Sequence, residues 1–242
     1  MTTARWLQWS VRSQIDASSK GAAFSALRAR IESQGILVGL EEIGVDACRG
    51  FSLPHKAVPM IVVNSSFDLG SVRSFTLLHE LAHLLRQEQV VCDEPKDAVE
   101  RWCDQFAAAF LMPADDIALY FEKYLKKVSV NADDIDSVRR ISSRYKASYH
   151  AVAIRLRELG LADQDLVAVV EKGRLESKDK GGPGGEPQTR PVLRLRRFGA
   201  VFTRLVADGV SSGIISQLDG QKYLHVGQSE FLDLASRVRR TE

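Results

Sequence analysis

His79 and His83 lie four residues apart, and Glu80 directly follows the first, giving the run His79-Glu80-Leu81-Ala82-His83. On a helix, residues four apart stand one above the other, so the two imidazoles face a single point. Two neutral imidazoles at that separation suit Zn²⁺. Glu80 would then lie at the flank of the ion, beside a bound water. A carboxylate there can take the proton of that water and hand it to a leaving amine. This is the HExxH arrangement, expected by chance in roughly one chain in a hundred of this length or fewer. The competing reading is a helix whose histidines merely lie on a polar face.

A catalytic zinc needs a third protein ligand and an open fourth position. Glu100 follows His83 by seventeen residues, and Asp104 follows Glu100 by four, so both carboxylates share one face of the next predicted helix. One can ligate while the other accepts the second ring N–H of a ligating histidine and fixes its tautomer. The run Ala107-Ala108-Ala109 lets the two helices approach closely. Cys92, in the polar loop between them, is a candidate inhibitory fourth ligand if its thiolate fills the open position. Cys103 reads as core.

The elements that must position these groups are legible in part. Phe24, Leu27 and Ile31 predict a helix from about residue 21 to 34, ended by Gly35. A short strand fits within 36–45. Met60, Ile61, Val62 and Val63 make a better one, and Pro59 at its start suits an edge position that could hold an extended substrate by strand addition. Phe75, Leu78, Ala82 and Leu85 form the buried stripe of a helix over 71–87. A further helix covers 97–112, and another opens at Pro113 with acids in its first turn. Residues 135–161 read as two helices with a turn near 146–148, and the stretch 141–161 resembles a helix-turn-helix. Residues 175–190 are rich in Gly, Pro and charge without an apolar period.

The expected fold is therefore α+β, mostly helical and zincin-like, with a small sheet. Its domains are a catalytic one over 1–165, a linker or mobile loop over 166–191, and a small helical C-terminal region over 192–242. The composition of the 242 residues is that of a soluble globular protein, 45% hydrophobic and 26% charged. No apolar stretch approaches the roughly 20 residues of a membrane span. Neither an apolar leader nor a disulfide framework is apparent from the first residues or the three cysteines, so the chain is expected in the cytoplasm. A net charge of +2 excludes a globally basic nucleic-acid binder. Arginines do crowd residues 139–157 and 190–204, as solvated helix faces or as a phosphate-binding surface.

Three stretches together resemble the ImmA/IrrE family of bacterial and phage metallopeptidases. They are Pro59 to Asn64, Phe75 to Leu85 around the histidines, and Glu100 through Phe106 to Pro113. The resemblance extends over roughly residues 20–165. It implies His79, His83 and Glu100 as metal ligands and Glu80 as the catalytic carboxylate. The family often has Asn where Asp104 stands, a mild departure, since Asp orients a histidine at least as well. The resemblance also implies a substrate, a helix-turn-helix transcriptional repressor whose cleavage releases a stress, mobile-element or antiphage operon. Single-stranded DNA is the implied activator. Two other readings remain open: a DNA-binding regulator with a non-catalytic zinc site, and the toxin of a toxin–antitoxin pair.

Overall fold

The computed structural model describes residues 2–67, 70–87, 96–163, 165–173 and 188–239. Two short helices, α1 (Thr3–Trp6) and α2 (Val11–Ile15), lead into α3 (Lys20–Glu32). The Ser10 and Ser19 hydroxyls accept from the amides of Ser13 and Ala22, occupying donors that the first helical turn leaves unpaired. Phe24, Leu27 and Ile31 are buried along one face of α3. Gly35, at φ +82°, then turns the chain, a conformation glycine adopts without strain.

The sheet has three strands, β1 (Leu37–Glu41), β2 (Gly50–Leu53) and β3 (Met60–Asn64), in the order β1-β3-β2. β1 runs parallel to β3 with Leu37 opposite Met60, and β2 runs antiparallel with Gly50 opposite Val63. Met60–Asn64 is thus the central strand, which corrects its expected edge position. Pro59 does not prevent this, because it precedes the strand and its carbonyl accepts from the Leu37 amide at 2.9 Å. Val38, Leu40, Ile61 and Val63 alternate onto one face and join the core. Against that face lies α4 (Gly70–Gln87), contributing Leu77, Leu78, Leu81 and Leu84.

The helix α5 (Lys96–Leu111) packs along α4 through Cys103, Ala107 and Ala108, all fully buried. After Pro113 come α6 (Ala114–Tyr120) and a single π-helical turn, Phe121–Leu125, ended by Lys126 in the left-handed region. α7 (Ile135–Tyr145) and α8 (Tyr149–Glu158) are joined by a tight turn, with Lys146 left-handed and Ser148 capping α8. Their apolar faces are spent in the core through Ile141, Tyr145, Val152 and Leu156. Residues 166–173, expected within the linker, belong to α9 (Asp165–Gly173), which buries Leu166, Val167 and Val170 in the same core. A nine-residue helix with three apolar contacts is too short to show a period in the sequence. Residues 174–187 of the expected linker lie outside the described residues.

Four helices close the chain: α10 (Arg190–Phe198), α11 (Ala200–Ser211), α12 (Gln217–Leu224) and α13 (Gln228–Arg239). They have their own small core of Val206, Leu224, Val226, Phe231 and Leu234. α10 is fastened to β1 by a bidentate ion pair, Arg197 Nε and Nη2 to Glu41 Oε1 and Oε2 at 2.8 and 2.7 Å. Beside it, the buried Arg28 of α3 donates to Glu32 (3.0 Å), to the Arg196 carbonyl (2.6 Å) and to the Val38 carbonyl. Gly199, at φ +83°, sits so close to this pair that any side chain would collide with both partners.

Candidate metal centre

The regular turn of α4 brings His79 and His83 onto the face towards α5, with ring centroids 4.8 Å apart. From α5, Glu100 reaches the same point. Its Oε2 lies 3.2 Å from His79 Nε2 and its Oε1 3.7 Å from His83 Nε2, while the two histidine Nε2 atoms are 3.1 Å apart. In a tetrahedral site with bonds of about 2.0–2.1 Å, donor atoms sit about 3.3–3.4 Å from one another. The three separations scatter around that value. All three donors lie within 4.8 Å of one another, and the chemistry of the set (two imidazoles, one carboxylate) fits a divalent ion of the zinc type.

Asp104, one turn beyond Glu100, places Oδ1 2.9 Å from His79 Nδ1. This holds the proton on Nδ1 and turns Nε2 to the shared point, as the spacing on the helix predicts. Burial opposes the charged form of His79, but Asp104, Glu80 and Glu100 outweigh it and raise its pKa above the ordinary imidazole range. For His83, burial and the neighbouring His79 prevail and lower the pKa, favouring the neutral form that ligates.

Glu80 is 8% exposed and lies beside the donor set without joining it. Burial pushes its carboxyl above the usual carboxylate range, and Glu100 adds to this. His79 and a hydrogen bond from the Ser52 hydroxyl pull the other way. A base of raised basicity, held by one donor from β2, is suited to accept a proton and release it again.

These groups line a cleft of about 580 Å³ whose opposite wall is β2 and the loop before it, including Arg49, Gly50 and Ser52. Gly50 permits this approach. A β-carbon there would come within 2.7 Å of Thr76 Cγ2, 2.8 Å of the Val62 carbonyl oxygen and 3.3 Å of Glu80 Cγ. β2, not Met60–Val63, therefore borders the site. Sequence reasoning missed this wall because Gly50-Phe51-Ser52-Leu53 is short and carries no β-branched run. It missed Cys48 too, an exposed free thiol lining the same cleft. Cys92, the candidate fourth ligand, lies outside the described residues. Cys103 is buried, and its thiol is pushed up to about 12 by burial and neighbouring carboxylates, so it is inert core as expected.

The two arginine clusters are largely engaged in holding helices together. Arg144 pairs with Asp116 and stacks on Tyr120, Tyr124 and Tyr145. Arg155 donates to the Met112 carbonyl at 2.9 Å, Arg197 is bound to Glu41, and Arg204 donates to the Val238 carbonyl at 3.0 Å. These four are thereby withdrawn from any phosphate-binding face, while Arg139, Arg140, Arg157, Arg190 and Arg196 are exposed.

Residues 31–157, just over half of the chain, match the family model of the IrrE N-terminal-like domain, the M78 peptidases. The protein belongs to this family and is a metallopeptidase of the IrrE type. The matched span runs from the end of α3 to the end of α8 and includes every donor of the site. No curated protein and no solved structure gives a significant match to the chain. Among the described residues, no helix is long and apolar enough to cross a membrane.

Proposed function

We propose that this chain is a cytoplasmic zinc-dependent endopeptidase that cleaves a helix-turn-helix transcriptional repressor. The observation that carries the chemistry is the convergence of His79, His83 and Glu100 within 4.8 Å beside a buried glutamate that is not part of the set. A zinc ion held there supplies Lewis acidity towards the scissile carbonyl and the attacking water. Glu80 takes the proton of that water on a carboxylate oxygen and passes it to the leaving amine nitrogen. Ser52 orients Glu80, and Asp104 keeps His79 in the ligating tautomer. Among the described residues, strand β2 is paired on one side only, with β3. An extended substrate segment pairs along Gly50–Leu53 and so passes the metal point.

The repressor as substrate, and single-stranded DNA as activator, rest on the resemblance to repressor-cleaving members of the family. The alternative of a DNA-reading regulator loses ground, because the apolar faces of α7 and α8, with Arg144 and Arg155, are engaged within the protein. The test is incubation of the zinc-loaded protein with the helix-turn-helix protein encoded beside its gene, with and without single-stranded DNA, using Glu80→Gln as control. A Glu80-dependent cut is expected, faster with DNA. Intact repressor under both conditions, with zinc bound, would remove the substrate assignment.

A further inference from the structure

Arg49 is the one lysine or arginine among the described residues lining the metal cleft, whose other charged side chains include Glu80, Glu100 and Asp104. It is exposed, and its guanidinium rests over the Phe67 ring, 5.7 Å from the centroid. Among the described residues no carboxylate neutralises it. A cation beside three carboxylates, yet paired with none of them, keeps its charge available to a ligand.

The backbone at Arg49 is held by Asn64, the last residue of β3. The Asn64 amide donates to the Arg49 carbonyl at 2.8 Å. The Asn64 side chain, 1% exposed, then fills its whole hydrogen-bonding capacity on the neighbouring segments. Nδ2 donates to the carbonyls of Gly44 (2.7 Å) and Cys48 (2.9 Å), and Oδ1 accepts from the amides of Ile43 (3.3 Å) and Ser66 (2.9 Å). The loop that carries Arg49 is therefore set before any substrate arrives, which lowers the ordering cost of binding. Adjacent Cα atoms are about 3.8 Å apart. Because the β-carbon position of Gly50 is 3.3 Å from Glu80 Cγ, Arg49 stands one residue from the point where the proposed base meets the strand wall.

We propose that Arg49 is a specificity-determining residue that binds an acidic side chain of the peptide substrate within a few residues of the scissile bond. The proposal rests on the peptidase reading of the site. Without Arg49, the carboxylates of the cleft would repel an aspartate or glutamate of the substrate and attract a lysine. With it, the sign is reversed at the end of β2 where the chain enters the strand. A guanidinium–carboxylate pair in a half-enclosed cleft gives about tenfold discrimination against the uncharged isostere.

The test uses a positional library of short peptides, acetylated and amidated so that only side chains carry charge, with Asp, Asn or Lys placed at each position in turn. The zinc-loaded enzyme is assayed for kcat/KM, and binding to its Glu80→Gln form is measured by fluorescence anisotropy. At one position the wild type prefers Asp over Asn by about tenfold in both readouts. Arg49→Gln removes the preference and Arg49→Glu reverses it towards Lys. Equal handling of Asp and Asn at every position overturns the proposal, as does an Arg49→Gln variant that slows both peptides alike. Arg49-dependent binding of acidic peptides without any hydrolysis would support the recognition role while removing the peptidase reading.

Discussion

Two polar clusters in this protein are built on the same plan and end differently. Each starts from an i, i+4 pair on a helix, His79 with His83 on α4 and Arg28 with Glu32 on α3, and each is completed by groups from other elements. The Arg28 cluster is closed. Both side chains are under a tenth exposed, and the guanidinium is matched to a carboxylate and to carbonyl oxygens of β1 and α10. The His79 cluster is open. Its histidines are 16% and 19% exposed, Glu100 is 45% exposed, and three lone-pair donors face one point without enough protons among them to satisfy each other. A buried cluster that satisfies itself holds elements together. One that does not is arranged for something that arrives from outside.

The sharpest way to break this contrast is Glu80→Gln. It should lower hydrolysis by about 10²–10⁴-fold, the range of general-base catalysis, while metal binding measured by mass spectrometry stays intact. Arg28→Ala should act on the fold alone. Removing one partner of a buried pair leaves Glu32 uncompensated, at about 3–5 kcal/mol, read as a fall in Tm of roughly 10 °C. Replacing Arg28 and Glu32 together by Met and Leu should recover most of that loss. An unchanged Tm in Arg28→Ala would show that the cluster is not a staple.

Zinc supplies the converse test. At a concentration one hundred times its Kd, it should stabilise the wild type by about 2.7 kcal/mol, seen in calorimetry as a rise in Tm, whereas His79→Ala should show no rise. Asp104→Ala should weaken zinc affinity about 10–100-fold, and Asp104→Asn much less, since an amide oxygen still accepts from His79 Nδ1. Equal affinities in titration calorimetry would remove the orienting role. The smallest effect belongs to Arg197→Gln. The Arg197–Glu41 pair is partly exposed, so the variant should lose under about 1 kcal/mol in denaturant unfolding.

The same contrast explains what could be read from the sequence. His79, Glu80, His83, Glu100 and Asp104 lie on two successive helices, where spacing alone fixes which side chains share a face. The central strand's apolar run was also legible, but not its place in the sheet, which depends on two partners whose pairing no local pattern encodes. β2 is four residues long and is defined by its fit against Thr76 and Glu80 through Gly50. The Arg28 cluster was invisible for a different reason. Its acceptor on α10 lies 168 residues away, in a region read only as small and helical.

The central claim is most directly tested by X-ray anomalous scattering at the zinc edge from crystals of the zinc-loaded protein. The account predicts one peak bonded to His79 Nε2, His83 Nε2 and Glu100, with Glu80 beside the ion and outside bonding distance. A peak elsewhere, or one in which Glu80 replaces Glu100 as ligand, would contradict it.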